Sequence, residues 1–578
     1  MSTQANPSWN QFLRSNLRLS RMTNPRLAAW MLTALGTGFL AYVARVHEIT
    51  HDLFHEMSLF REALVRGDFP QQEVFAYTDT VNPSVHHEWA TGAIAYFATI
   101  GSGFGLTGLI ALKLALMAAL WLVLYRVARL RGAHPYIFAL VAFFCFPVFW
   151  VGFATVRAQL FTMVAIATQL WMQELDWRGK RSWVIAWLLM LVAWLNIHAG
   201  FVVGLGMIAF HGIERFGVAW WDSRSLKKAF QATWHLLAVA PVAAICCLIN
   251  PYGWQYIPYL FRAIAMERPL IQEWLPLWHT HDPINTIALF AISLALVVYA
   301  IRNNPWRRVR GAAFLFLSAY MTLKHIRHGS IFGVVWLAYL PAWLSRTAMG
   351  KNLVAWIDSQ PRVFTRVSQG LVAASMVFAC YHHFWRPTLP PQPLYSSASY
   401  PSDAIEYLRE NHFEGNLMTP FHVGAYVSWE MYPEVRVSFD GRYEVAYQEH
   451  MMDEHQLFYD GDEGWEKIPA KYPATDAILI HKQAKLCEQF GKSVVRDSER
   501  EEEDRRLAPE RLIEEWQKQW QVRYEDDAFM LLARPDSRLP KVDRRGEPIL
   551  DAAARTFTQR HSHWDRWERH ELASRPTE

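Results

Sequence analysis

Asp52, His55 and Glu56 follow the first long apolar run of the chain, and their spacing of three and four residues puts all three on one face of a helix. Two carboxylates and an imidazole so placed can divide among proton acceptor, charge stabiliser and orienting group. Asp52 is the first choice of base and Glu56 the second, against the reading of either as a helix cap or a solvated interfacial charge. His55 can orient Asp52, contact a phosphate, or be an ordinary hydrogen-bonded histidine. Further polar groups stand near the ends of later apolar runs: Arg157 and Gln159, Asn196 and His198, Glu273 beside Trp274, and Lys324 with Arg327 and His328. A guanidinium offers a two-pronged fork to phosphate oxygens, which makes Arg157 the leading anion ligand, with Lys324 and Arg327 behind it. The bland alternatives are a snorkelling side chain for Arg157, turn-flanking charges for Lys324 and Arg327, and a structural ring for His198. Glu273 can place another carboxylate above the same pocket or serve, with Trp274, as an interfacial anchor.

Metal chemistry has less to stand on. Asp52, Glu56, Asp68 and Glu88 can supply oxygen ligands, but no fixed-spacing loop frames them. The expectation is that no cofactor is required, with a divalent cation as the open alternative. His86-His87-Glu88 and His561-x-His563 are each too local for a zinc site. Cys145, Cys246, Cys247 and Cys380 lie in apolar runs and only Cys487 in a polar stretch, so neither a disulfide framework nor a cysteine metal site is expected.

The elements that must position these groups are helices of bilayer length. The 578 residues are 52% hydrophobic and include 27 Trp, which is heavy for a soluble enzyme. A helix rises about 1.5 Å per residue, so a run of about 18 or more apolar residues crosses the hydrocarbon layer. About eleven spans are expected, at 27–46, 106–126, 134–154, 159–175, 182–197, 200–217, 233–249, 284–301, 311–324, 330–345 and 367–385. The segment 89–104 reads as a tilted or re-entrant helix. The N-terminus is polar and lacks a small-residue cleavage site, so the first run is expected to remain as an anchor.

Basic residues gather in the N-terminal arm and in alternate connections, at Arg126-Arg129-Arg131, Arg178-Lys180-Arg181, Arg224-Lys227-Lys228, Arg307-Arg308-Arg310 and from Arg346 to Arg366. The positive-inside rule makes these cytoplasmic and puts 47–105, 155–158, 196–199, 250–283, 325–329 and everything beyond about residue 386 outside. The polar groups that resist a packing explanation then share the outer side, which implies one outward-facing pocket. A net charge of +4 without a basic stripe argues against a nucleic-acid partner.

The order of these pieces resembles the bacterial polytopic glycosyltransferases of the GT-C superfamily, near the dolichyl-phosphate-mannose-type and ArnT-like membrane proteins. The resemblance is carried by Asp52-x-x-His55, Gly67-Asp68-x-Pro70, Phe75-x-Tyr77-Thr78, His87-Glu88-Trp89, Arg157-x-Gln159-Leu160, Asn196-x-His198-x-Gly200-Phe201, Asn250-Pro251-Tyr252-Gly253, Glu273-Trp274 and Asp440-Gly441-Arg442. It implies a carboxylate in the first outer loop, which Asp52 matches. It also implies a polyprenyl-phosphate-linked sugar as donor, an extracytoplasmic glycan, lipid or protein as acceptor, and residence in the bacterial inner membrane among membrane lipid. The chain departs from the pattern in reading Leu53-Phe54-His55-Glu56 and Arg157-Ala158-Gln159.

The fold expected is therefore mostly α: a cytoplasmic arm (1–26), a polytopic transmembrane helical bundle (27–385) with a large first outer loop (47–105), a small extracytoplasmic α/β domain (386–535), and a polar, poorly ordered tail (536–578). In the outer domain a helix is expected over 402–411, strands at 435–439 and 477–480, a hairpin of 522–525 with 529–533, and a solvated charge run at 496–506. Asp440-Gly441-Arg442 reads either as an acceptor contact or as a tight turn held by an Asp–Arg pair. No nucleotide-binding glycine fingerprint is present, which argues against a sugar-nucleotide donor. The rival functions are a transporter or flippase for a lipid-linked saccharide and a non-catalytic subunit of an envelope polysaccharide assembly.

Overall fold

The computed structural model describes residues 24–44, 50–149, 156–266, 271–280, 282–380, 400–484 and 518–546, with a few single residues and dipeptides between them. Cys487, the charge run Arg496–Arg506, His561, His563 and the tail beyond residue 546 lie outside the described residues. The chain is mostly helical with a small sheet region near its C-terminal end. Its described residues divide into a helical unit (Met1–His47, Ile110–Gly253, Glu267–Trp385) and a mixed unit (Glu48–Leu109, Trp254–Met266, Arg386–Glu578).

The apolar runs of the helical unit fall on the helices Pro25–Ala44, Leu106–Leu130, Pro135–Phe149, Ala158–Trp177, Trp183–Ile197, Phe201–Ser223, Leu226–Cys246, Pro283–Arg302, Ala312–Lys324, Gly329–Leu344 and Pro361–Ala379. Among the described residues, five helices are long and apolar enough to cross a membrane. They are Pro25–Val43, Leu106–Leu130, Phe201–Ser223, Leu226–Cys246 and Pro283–Arg302. Trp183–Ile197 and Ala312–Lys324 are shorter, at 15 and 13 residues. Gly329–Leu344 is buried along its entire length, and a helix that is apolar on every side is one that is covered on every side.

The distribution of polarity follows from the solvent these helices meet. Leu122, Ile185, Leu189, Ile213, Leu237 and Ile284 point outward and are exposed, whereas Thr162, Gln169, Gln173, Asp176, His211 and His235 are buried. Apolar contiguous surface of this extent is not stable against water, and polar groups turned inward are what hydrocarbon surroundings require.

One carboxylate ties four of these helices together. Asp176 is wholly buried in the last turn of Ala158–Trp177, where the negative end of the helix dipole disfavours a second negative charge. Its compensation comes from the next three helices. His211 Nε2 and Arg215 Nη1 lie 2.9 and 2.7 Å from Oδ2. Trp183 Nε1 and His235 Nε2 lie 3.0 and 2.9 Å from Oδ1, and Arg181 also pairs with that oxygen. Removing a buried charge from such a network leaves its partners uncompensated. Asp176→Ala is expected to destabilise the helical unit by about 3–5 kcal/mol, read as a lowered thermal midpoint of the purified chain in lipid nanodiscs; an unchanged midpoint would refute the network's role.

The mixed unit is built on a six-stranded sheet. Its strands are Gly415–Met418 (β1), Val435–Val437 (β2), Ala477–His481 (β3), Gln521–Glu525 (β4), Phe529–Ala533 (β5) and Val542–Asp543 (β6), in the order β2-β1-β3-β5-β4-β6. β1 runs parallel to β2 and β3, β5 runs antiparallel to β3 and β4, and β6 is parallel to β4. β3, Ala-Ile-Leu-Ile-His, is buried at every position, as a strand covered on both faces must be. The helix Ser402–Glu410 and the β4–β5 hairpin fall where the sequence places them. β1 is not foreseen, since Gly415 and Asn416 dilute its apolar signal, and β6 extends the sheet beyond residue 535.

The sequence assigns residues 47–105 to the membrane bundle as a loop, but they fold with this sheet. Tyr77 N–H donates to Val437 O at 3.1 Å and Val437 N–H donates to Phe75 O at 2.9 Å, so the segment pairs with the free edge of β2. Bridges join Ala76 to Val437 and Thr80 to Tyr447, and Val81 N–H reaches Ala446 O at 2.7 Å. An edge strand leaves unpaired backbone groups, and a segment from the distant N-terminal part of the chain satisfies them.

Candidate functional site

The helix His51–Arg66 presents the candidate residues Asp52, His55 and Glu56. It starts after Thr50 in extended backbone and ends at Gly67, whose φ of 82° closes the helix in the left-handed region. Phe54 packs among Tyr400, Tyr426 and Trp429, with ring centroids 5.8, 5.2 and 6.4 Å away. Arg61 lies 4.2 Å over the Trp429 ring and donates to the Trp429 carbonyl at 2.9 Å. At 100° per residue, this anchored face is opposite the one that carries Asp52 and Glu56.

Those two carboxylates sit in different surroundings. Glu56 is buried, and Gly92 of the helix Trp89–Tyr96 packs so closely that a Cβ there would stand 2.1 Å from the Glu56 carbonyl oxygen. Asp52, one turn earlier, is half-buried. It lies beside Gly441, where a Cβ would come within 3.2 Å of Asp52 Oδ1.

Gly441 is the middle of a turn closed by its neighbours. The Arg442 N–H donates to Asp440 Oδ1 at 3.0 Å, Nε donates to Oδ1 and Oδ2 at 2.9 and 3.1 Å, and Nη2 donates to Oδ2 at 2.5 Å. Arg442 Nη1 reaches Glu73 Oε2 at 2.6 Å, and its guanidinium lies 5.0 Å from the Phe75 ring centroid. Asp440, Arg442 and the Glu73 side chain are all buried. Burial alone would raise the Asp440 carboxyl, but the charge and hydrogen bonds of Arg442 prevail and hold it below its ordinary value.

This buried cation shapes the histidines. Burial first, and Arg442 second, push both His55 and His86 below the usual imidazole range. Asp440, Asp52 and Glu88 pull His55 the other way without prevailing. His86 Nε2 stands 3.9 Å from Glu73 Oε2, but a neutral ring makes that approach no ion pair. His87 Nδ1 bonds the Tyr259 hydroxyl at 2.8 Å, and its Nε2 lies 3.3 Å from Glu88 Oε1. Asp68 is exposed in the turn after Gly67. Among the described residues, no three His, Cys, Asp or Glu side chains are arranged to hold a metal ion.

The remaining candidates belong to the helical unit. Arg157, in extended backbone ahead of the helix Ala158–Trp177, pairs with Glu273. Gln159 Nε2 donates to Arg327 O at 3.2 Å and to Ser330 Oγ at 3.1 Å. The Trp274 ring has the guanidiniums of Arg268 and Arg327 at 4.5 and 5.3 Å, and the rings of His325 and His328 at 5.3 and 6.1 Å. Arg157, Gln159, Glu273 and Arg327 thus gather in one place, with Arg268 on the neighbouring Trp274 ring. Lys324 is exposed at the end of Ala312–Lys324. His198 closes a turn instead: its Nδ1 accepts from Gly200 N–H at 3.0 Å and lies 2.8 Å from Thr162 Oγ1, which itself accepts from Trp194 Nε1.

Glu73 and Arg268 join these groups without having been singled out by the sequence, and His86, weighed there only in a run too local for a zinc site, joins them too. Glu73 stands two residues before Phe75-x-Tyr77-Thr78, yet its partner is 369 residues away. No family model matches the chain, and no curated protein matches it.

The neutral histidines set the pH response of the mixed unit. His455, buried between Ser438 Oγ at 2.9 Å and Met451 O at 3.0 Å, is pushed down to about 4 by its burial. Unfolded, each histidine takes up a proton below its ordinary value of about 6.5. Below that pH the unfolded chain binds more protons than the folded one, so stability is full above about pH 6.5 and falls as pH drops toward about 4. His455→Gln, which keeps a hydrogen-bonding side chain but cannot titrate, is expected to flatten this acid limb by up to about 3 kcal/mol. Denaturant unfolding from about pH 7.5 to about pH 4.5 checks it, and an unaltered slope in the variant would refute it.

Proposed function

We propose that the chain is an integral membrane glycosyltransferase that moves a sugar from a polyprenyl phosphate carrier to a hydroxyl or amine acceptor outside the cytoplasm. The observation that carries this reading is the half-buried Asp52 carboxylate beside Gly441, at the rim of a buried cluster whose one guanidinium is already held by Asp440 and Glu73. Burial first, and Arg442 second, lower the His55 imidazole, which favours the uncharged ring that can orient Asp52. Glu56 is buried against the Trp89–Tyr96 helix, which favours Asp52 over Glu56 as base.

In the reaction, Asp52 takes the proton of the acceptor group, and the freed electron pair attacks the anomeric carbon. The bond from that carbon to the phosphate oxygen breaks, the polyprenyl phosphate leaves with its electron pair, and the configuration inverts. A phosphate leaving group needs positive charge, and Arg157, with Lys324 or Arg327 behind it, is the residue proposed for that role. The setting proposed is the bacterial cytoplasmic membrane, crossed about eleven times, with the N-terminus inside and the mixed unit outside. The five bilayer-length apolar helices support a membrane setting.

The test is reconstitution in vesicles with a panel of polyprenyl-phosphate sugars. Asp52→Asn is expected to lower kcat by about 10²–10⁴-fold, with Glu56→Gln much closer to wild type. Undiminished transfer by both variants would remove the proposed base, and failure to bind any polyprenyl-phosphate sugar would favour a non-catalytic assembly subunit. Arg157→Gln is expected to raise KM for the lipid donor about tenfold or more. Its thermal midpoint should fall only modestly, since the Arg157–Glu273 pair is part-exposed and such pairs contribute on the order of 1 kcal/mol to stability.

A further inference from the structure

The short helix Tyr256–Ala265 has its polarity reversed relative to a helix that faces water. With the turn Gly253–Gln255 before it, it exposes Trp254, Ile257, Phe261 and Ile264, a stripe spaced three, four and three residues apart. Its buried face carries instead the hydroxyl-bearing Tyr256 and Tyr259, whose rings stack 6.2 Å apart at 22°. Arg262 flanks the stripe, its guanidinium 5.9 Å from the Tyr259 ring centroid. A water-facing helix would put these faces the other way round.

The chain itself names the occupant of the apolar face. In sequence the helix lies between Leu226–Cys246 and Pro283–Arg302, both long and apolar enough to cross a membrane, and only residues 247–255 separate it from the first of them. A ten-residue helix rises only about 15 Å, too short to cross the hydrocarbon layer itself. An apolar stripe with interfacial Trp and a flanking Arg, tethered to membrane helices on both sides, matches a helix lying in the plane of the lipid surface. We propose that Trp254–Ala265 is a membrane-surface helix that seats Trp254, Ile257, Phe261 and Ile264 at the acyl-chain boundary of a phospholipid leaflet. Its opposite face holds His87 through the Tyr259 hydroxyl, and His87 in turn lies against Glu88. The helix therefore sets the depth of Glu88 relative to the lipid headgroups, whichever reaction the site performs.

The test uses the full chain in nanodiscs of phosphatidylethanolamine and phosphatidylglycerol, with a diazirine amino acid placed singly at Ile257, Phe261 or Ile264. Glu463, exposed in the mixed unit, serves as the water-facing control. After irradiation, mass spectrometry is expected to show phospholipid adducts at the three stripe positions and water adducts at Glu463. Water adducts along the stripe, or cross-links from it to a second copy or another protein, would overturn the proposal. The three positions are exposed and independent, so a label that disturbs folding at one, detected by gel filtration, leaves the other two to decide.

Discussion

The guanidinium of Arg442 is the pivot of the mixed unit. Asp440 holds it from within its own turn, and Glu73 holds it from a segment that precedes most of the membrane helices in sequence. A buried ion triad gains nothing over a well-packed apolar core of the same volume, because desolvation offsets most of the attraction. Breaking it is another matter, since each remaining charge would be stranded in a medium that cannot solvate it. The triad thus acts as a register mark. It fixes where residues 75–81 dock on the sheet, sets Gly441 against Asp52, and adds the charge of Arg442 to the burial that lowers His55 and His86.

Guanidiniums recur beside aromatic faces throughout the molecule: Arg61 over Trp429, Arg131 over Tyr339, and Arg268 and Arg327 about Trp274. A ring face attracts the cation while leaving its in-plane N–H groups for carboxylates, carbonyls or phosphate. This suits a chain whose polar groups must be charged yet largely removed from water. The outward faces of the membrane-length helices need the reverse, and there the side chains include Leu, Ile, Val, Phe and Trp.

Much of this was legible in the sequence. Apolar runs marked the helices, since hydrophobicity acts locally and accumulates along a segment. The face shared by Asp52 and Glu56 followed from helical periodicity, and the Asp440–Arg442 pair from its spacing of two residues. Which carboxylate of the first pair is accessible did not follow, because that depends on Gly92 pressing on Glu56 from another helix. Glu73, Arg268 and the Asp176 network were hidden for the same reason: each is a polar contact between segments far apart in the chain, with no periodic signature. Gly329–Leu344 shows the opposite ambiguity, since its apolar sequence reflects cover by protein rather than by lipid alone.

The docking of residues 75–81 on the edge of β2 has a consequence for biosynthesis. Ribosomes deliver the chain from its N-terminus, so Glu73 is made long before the strand and the arginine that it meets. Until then residues 75–81 have no template, and Asp52 has no Gly441 beside it. A truncated or stalled product that ends before β2 would therefore hold a Glu73 with no cation to meet and an Asp52 with no turn beside it, so a face encoded near the start of the chain waits on residues made near its end.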